Sequence, residues 1–334
     1  MENTDPAAKF NALVVEENKG NYIRSIKTLT IGDLPQRELL VRVHYSSLNY
    51  KDALSATGNK GITKKYPHTP GIDSVGVVEQ SLVDEFKVGD KVIVTSYDLG
   101  MNTPGGFGQY ISVPASWAVK LPVGLSMKES MIIGTAGFTA ATCVSKITEL
   151  VQPEDGKIIV SGASGGVGSV SVALLTQLGY TVVAVSGKTQ ENDYLKQLGA
   201  EEIIDRIDFQ QKDLRPILSA QFAGGIDTVG GAILENIIKS VQPYGAVTCC
   251  GNVASPALEL TVFPFILRGI SLIGVSTQNY PMEKRKMLWK KLANELKPNR
   301  LLDLYTEITL EQLSRSIDQM LQGKAKGRTI IKML

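Results

Sequence analysis

Histidine is nearly absent from this chain of 334 residues: His44 and His68 are the only two, and the cysteines number three, Cys143, Cys249 and Cys250. That shortage bears first on metal chemistry. Zinc needs Cys, His and carboxylate ligands converging on one point, four for a structural site and three with an open position for a catalytic one. The chain has no spaced quartet of cysteines and no Cys–His pair around a Gly-His-Glu segment, so no metal site is expected. Three cysteines, two of them adjacent, also cannot form a disulfide framework, which points to a reducing compartment and a cytoplasmic location. Charge of one sign is lacking too. The 35 Lys and Arg against 33 Asp and Glu leave a net +2, too balanced for a nucleic-acid surface. There is no run of about 18 uncharged apolar residues, so no membrane span is expected. The opening MENTDPAAKF has no apolar core of the kind a signal peptide needs.

What is present reads as a soluble α/β protein, and 334 residues suggest about two domains. Short apolar strands are predicted at residues 11–16 (NALVVE), 38–44 (ELLVRVH), 71–79 (GIDSVGVVE) and 91–95 (KVIVT). Frequent Gly and Pro between them indicate an irregular β domain. Ser126-Met127-Lys128-Glu129 fits a capping box and starts a helix running towards Lys146. From Lys157 the rhythm becomes strand, turn, helix, strand. Strands are predicted at 157–161, 181–186, 202–205, 225–229, 246–251 and 271–275, with helices at 167–178 and 191–198, the latter closed by Gly199. That alternation signals a doubly wound parallel sheet. Helices at 283–296 and 310–322 and a strand at 328–333 complete the chain.

The strongest local signal is Ser161-Gly162-Ala163-Ser164-Gly165-Gly166-Val167-Gly168, which follows a strand and opens a helix. It matches the dinucleotide fingerprint with Ala163 in place of the first glycine. Gly165 lets the backbone approach a pyrophosphate, Gly168 lets the helix pack on the strand, and the free N–H groups of the helix start face the phosphates. An NAD site wants an acid about 20 residues further on, for the ribose 2′-hydroxyl. Here the second strand ends Val185-Ser186-Gly187-Lys188 with no acid, and Arg206 follows the third strand. A hydroxyl with two cations suits a 2′-phosphate, so NADPH is the expected cofactor.

Several segments then resemble a known family: Ser46-Ser47-Leu48-Asn49-Tyr50-Lys51-Asp52-Ala53-Leu54, Pro70-Gly71-Ile72-Asp73, Met131-Ile132-Ile133-Gly134-Thr135-Ala136-Gly137-Phe138-Thr139-Ala140, the glycine turn, Tyr194-Leu195-Lys196-Gln197-Leu198-Gly199-Ala200 and Pro264-Phe265-Ile266-Leu267-Arg268. Over nearly its whole length the chain resembles the zinc-free quinone-oxidoreductase branch of the medium-chain dehydrogenases/reductases, and within it the bacterial acrylyl-CoA reductase group. The resemblance implies a GroES-like β domain from residues 1–130 and 283–334, a Rossmann domain from 131–282, an active site in the cleft and a homodimer. It implies reduction of acryloyl-CoA to propionyl-CoA by NADPH. It places Tyr50 beside the nicotinamide, Ser164, Gly165, Gly166 and Val167 on the pyrophosphate, and Ser186, Gly187, Lys188 and Arg206 on the 2′-phosphate. Asn252, Ile266 and Thr277 would flank the nicotinamide, and Arg328 would reach into the cofactor cleft. Two departures stand out: Lys188 replaces an arginine common in that group, and residues 97–105 (YDLGMNTPG) differ from its tryptophan-containing loop.

Hydride addition to an alkene conjugated with a carbonyl needs no Lewis acid, because the substrate carries its own electron sink. The polar cluster Asn49-Tyr50-Lys51-Asp52 directly follows a strand, which makes Asn49 or backbone N–H groups candidates for stabilising the enolate and Tyr50 or water the candidate proton donor. The alternative for Asn49 and Asp52 is that they cap a helix starting near Lys51. His44 and His68 read as structural. The basic run Glu283-Lys284-Arg285-Lys286 with Lys290 and Lys291 reads as a solvated helix face. Two rival functions fit the same residues: a quinone or general enone reductase, and a non-catalytic NADPH-binding redox sensor.

Overall fold

Asn18-Lys19-Gly20-Asn21 turns the chain back on itself within two residues, with φ of 50° at Lys19 and 82° at Gly20. This left-handed pair matches the twist of a hairpin, and it joins Lys9–Asn18 to Asn21–Thr30 in a regular antiparallel register. Both strands belong to a computed structural model that describes residues 5–334. The second strand has no counterpart in the sequence-based expectations. Its side chains alternate only between half-buried and exposed, which leaves little period-two signal.

Two compact units make up the chain. The first runs to Thr135 and takes in Gln278–Asn294 and Leu301–Leu334; the second is Ala136–Thr277 with Glu295–Arg300. In the first unit a seven-stranded sheet has the order Tyr305–Thr309, Arg328–Lys332, Leu39–Leu48, Asp73–Ser81, Lys91–Thr95 and Ala118–Lys120, while Tyr110–Val113 pairs with Leu39–Leu48. Leu39, Val41, Val43, Val92, Val94, Ile111 and Val113 point alternate side chains into its core. This is the GroES-like β architecture that the family resemblance implies.

The second unit is a six-stranded, all-parallel sheet in the order Ala200–Asp205, Val182–Ser186, Ile158–Ser161, Phe222–Asp227, Val241–Cys249, Ser271–Gly274. Counted from its own first strand, the order is 3-2-1-4-5-6, that of a doubly wound dinucleotide-binding sheet. Its central strands Val182–Ser186, Ile158–Ser161 and Phe222–Asp227 are buried on both faces, as near-continuous apolar runs require, while the two edge strands are partly exposed. The order reverses between Ile158–Ser161 and Phe222–Asp227, so the glycine turn lies at the switch point where such sheets bind ligands.

Met127–Thr148 is long and apolar enough to cross a membrane, yet most of it is buried inside the protein as a core helix. The capping box forms as expected: Ser126 N donates to Glu129 Oε2 (2.8 Å) and Glu129 N to Ser126 Oγ (3.1 Å). The helix breaks at Gly134, where φ is 50° and ψ −160°. A Cβ there would lie 2.6 Å from Asp73 Oδ2 and 2.7 Å from both Arg328 Nη2 and Ser47 Oγ. Only glycine fits that point, and the break frees the next N–H, that of Thr135, to bond a side chain instead of a helical carbonyl.

Candidate active site

At the glycine turn, Gly165 ends the loop in extended geometry and the helix Gly166–Gln177 begins. A Cβ on Gly168 would meet Gly162 O at 2.3 Å, so the helix packs against the loop only with glycine here. A Cβ on Gly165 would touch only Gly162 O, at 3.2 Å, which leaves that face of the loop open. Ser164 and Ser186 are buried and joined, Ser186 Oγ to Ser164 Oγ at 3.4 Å, and Lys188 N donates to Ser186 Oγ at 3.2 Å. Behind them Ser161 Oγ donates to the buried Asp227 at 2.7 Å, and Asp227 also accepts from Gly230 N at 2.8 Å. Asp227 thus ties the ends of the two central strands together. Sequence reasoning missed it, because a lone acid at a strand end looks like any turn residue.

The expected cation pair does come together. The Arg206 guanidinium lies against Gly187, so close that a Cβ there would stand 2.9 Å from Nε and 3.0 Å from Cζ. Burial, with Arg206 nearby, pulls the Lys188 ammonium below the usual lysine range, against the pull of Glu191. An anion bound beside these two cations would add to the counter-charge that Glu191 supplies to Lys188. No acid occupies the end of Val182–Ser186. The donor set therefore fits a phosphate group.

The Asn49-Tyr50-Lys51-Asp52 cluster opens the helix Tyr50–Ser55. Asp52 does cap it, its Oδ2 accepting from Asn49 N (2.8 Å), while its Oδ1 accepts from Ile72 N (2.8 Å) and Gly71 N (3.2 Å). Burial, with Asp73 nearby, pushes the Asp52 carboxyl up to about 7, against the backbone N–H groups of Asn49 and Ile72. Tyr50 stays exposed. Asn49 does not face outward, as a role at the reacting oxygen requires. Its amide is buried, Nδ2 donating to Asp73 Oδ2 (2.8 Å) and Ser47 O (3.3 Å), and Oδ1 accepting from Arg328 Nη1 (3.2 Å). Both ends are committed inside the unit, and Asn49 holds the fold around the site.

Arg328 is likewise turned inward. It is 2% exposed. Its Nε donates to Ile132 O (2.9 Å) and its Nη2 to Ser47 Oγ (2.9 Å), and it sits 3.8 Å from Asp73 Oδ2. Asp73 in turn accepts from Ser47 Oγ (2.6 Å), Thr135 N (2.9 Å) and Thr135 Oγ1 (2.5 Å). Ser47, Asp73 and Thr135 lie in segments that the resemblance had marked, but nothing in the sequence shows that these segments meet. Arg285 departs from the solvated helix face expected for its run: it is 1% exposed, donates from Nη1 to Thr95 O and Oγ1, and lies 4.6 Å from the Tyr97 ring centre.

Thr277 is buried, with its hydroxyl 2.9 Å from that of Thr139, while Asn252 and Ile266 are exposed. His68 is buried and His44 half-buried, and burial lowers both below the usual histidine range. Among the described residues no three His, Cys, Asp or Glu side chains converge as a metal site.

Comparison with known proteins accords with this geometry. Residues 35–123 match the alcohol dehydrogenase GroES-like domain, and residues 166–294 match the family described as zinc-binding dehydrogenase. Acrylyl-CoA reductase AcuI of Ruegeria pomeroyi is 39% identical over 325 residues, which are 96% of this chain and 98% of that protein. A Bacillus subtilis protein, YhfP, named for quinone reduction, is 41% identical over 97% of this chain and 99% of its own. The chain belongs to the quinone-oxidoreductase-like medium-chain dehydrogenases/reductases. The crystal structure of the YhdH oxidoreductase from Salmonella enterica in complex with NADP superposes with a TM-score of 0.94 at 41% identity, over 97% of this chain and all of that one. Bacillus subtilis YhfP with NAD bound also gives 0.94, at 40% identity, over 98% of this chain and all of its own. The zinc of the family description finds no fitting donor set here, since no ligand trio converges among the described residues.

The buried network yields a stability prediction. Arg328→Met leaves Asp73 and Asp52 buried without their cation. A loss of about 3–5 kcal/mol is expected for a broken buried pair, read as a lower urea midpoint. An unchanged midpoint would show that the two carboxyls need no counter-charge.

Proposed function

We propose that this chain reduces the carbon–carbon double bond of an α,β-unsaturated thioester, acryloyl-CoA to propionyl-CoA, with NADPH as reductant. The observation that carries the cofactor choice is the pair Lys188 and Arg206 set beside Ser186 and Gly187, with no acid at that strand end. The substrate choice is supported by the full-length likeness to an acrylyl-CoA reductase. When bound, the cofactor supplies a hydride. The chain's own residues hold and orient it: Ser164, Gly165, Gly166 and Val167 at the pyrophosphate, the Ser186–Arg206 group at the 2′-phosphate, and Tyr50, Asn252, Ile266 and Thr277 around the nicotinamide. Orientation of the reacting carbons supplies much of the rate. The likeness to a protein named for quinone reduction keeps quinones as a second substrate class.

A homodimer is part of the same reading. Ser271–Gly274 is the last strand of its sheet, with its outer edge unpaired among the described residues. Near it in sequence, Leu267 is 65% exposed. A sheet edge flanked by apolar side chains is built to pair. Light scattering should return twice the chain mass of 36.1 kDa; a monomer at assay concentration contradicts the dimer. The three free thiols accord with a cytoplasmic location.

Two experiments test the function. With NADPH deuterated at the transferring position, propionyl-CoA should carry the label on its β-carbon, and label in solvent or on an alcohol product overturns alkene reduction. Arg206→Ala removes charge-assisted bonds to the 2′-phosphate, each contributing about 1.5–3 kcal/mol. The KM for NADPH should therefore rise roughly 10–100-fold while that for NADH stays put. Equal effects on both cofactors would remove the 2′-phosphate assignment.

A further inference from the structure

Lys51 stands next to Tyr50 and is unlike the other lysines of its unit. Its side chain is half-buried, and its Nζ donates to Gln278 Oε1 at 2.7 Å. Among the described residues no carboxylate lies within ion-pair distance of it. A buried ammonium is normally paired with a carboxylate, whereas here the partner is a neutral amide.

That amide is itself fixed with care. Gln278 O accepts from Tyr97 N (2.9 Å) and from Arg285 Nη2 (3.4 Å), and its Nε2 donates to Met101 Sδ (3.5 Å). Tyr97 is clamped between the Arg285 guanidinium at 4.6 Å and the Trp117 ring, stacked at 5.7 Å and 6°. Ser96 and Tyr97 both hold left-handed backbone, φ 67° and 52°, which non-glycine residues adopt only when held there. Three separate segments thus converge to aim one carbonyl oxygen at one ammonium. One N–H of Lys51 is held, and the other two remain for a ligand.

We propose that Lys51 is the proton donor of the reduction, held in place by Gln278; this rests on the alkene-reduction reading above. Hydride from the cofactor forms the new C–H bond at the β-carbon, and the double-bond electron pair moves through the α-carbon to the thioester oxygen as an enolate. An N–H of Lys51 breaks, its proton forms the second C–H bond at the α-carbon, and the resulting neutral amine recovers a proton from water. Burial lowers the ammonium below the usual lysine range, with Asp52 opposing, which makes it a better acid than a surface lysine. The charged and titratable groups around it are Asp52 on its own helix and Arg285, Tyr97 and Tyr280 behind Gln278.

The test uses Lys51→Met, Lys51→Arg and Gln278→Leu in the full chain, measuring kcat and KM with NADPH and acryloyl-CoA from neutral to alkaline pH. For wild type, kcat should fall as pH rises through the ammonium's lowered pKa. In Lys51→Met that limb should vanish and kcat drop about 10²–10⁴-fold, with the KM for NADPH within about twofold. Lys51→Arg should stay equally slow, because a guanidinium keeps the charge but does not give up a proton. Gln278→Leu removes a bond to the charged form, so its limb should move to lower pH. Lys51→Met with wild-type kcat and limb overturns the proposal, as does Lys51→Arg at wild-type rate, which would leave the charge alone at work. If Lys51→Met cannot bind NADPH, an unmoved limb in Gln278→Leu overturns it instead. Wild type without any turnover of acryloyl-CoA removes the alkene-reduction reading and this proposal together, a result distinct from an active wild type with an indifferent Lys51.

Discussion

The first unit depends on a carboxylate taken out of water. Asp73 is fully buried and held by Ser47, Asn49 and the hydroxyl and N–H of Thr135, with the Arg328 guanidinium 3.8 Å away. A buried charge is tolerated only when paired and fully hydrogen-bonded, and meeting that demand recruits three distant segments. The strand end at Ser47 and Asn49 supplies two donors. The helix from Met127 breaks at Gly134 to release a third, and the final strand delivers the arginine. The helix carrying Tyr50 and Lys51 starts from this knot, since Asn49 is both a member of it and the residue whose N–H Asp52 caps.

The second unit solves a related problem at its strand ends. Asp227 is buried and satisfied by Ser161 and by backbone N–H groups, which locks the two central strands beneath the glycine turn. A little further along the sheet the opposite has happened: two cations are crowded at Gly187. One carboxylate is fully enclosed by donors, whereas Lys188 and Arg206 bring two cations to one strand end, with Glu191 close to the lysine. The first arrangement stabilises the fold, and the second fits the phosphate proposed for it.

Much of this was legible in the sequence. The parallel sheet followed from Val- and Ile-rich runs alternating with helices, and the phosphate turn from glycines whose spacing has a steric cause, visible as the Gly168–Gly162 approach. The Lys188 and Arg206 pairing was readable because each sits just past a strand end, where topology alone brings neighbours together. What failed to show was anything that depended on long-range burial. Asn49, Arg328 and Arg285 carry side chains that look like surface or ligand-facing groups, and each turns inward because its partner lies far off in sequence: Asp73 for the first two, Thr95 for the third. The hairpin strand Asn21–Thr30 was hidden for a different reason, since a half-exposed strand shows little alternation in hydrophobicity.

The account stands or falls on which pair of substrates this site turns over. Absorbance of the reduced nicotinamide should be followed with acryloyl-CoA and with a small quinone, each offered NADPH and then NADH. The thioester with NADPH should give the highest kcat/KM, and NADH should be poorer by roughly 10-fold or more, as the loss of contacts to one phosphate implies. Turnover of the quinone alone, or equal use of the two cofactors, would contradict it.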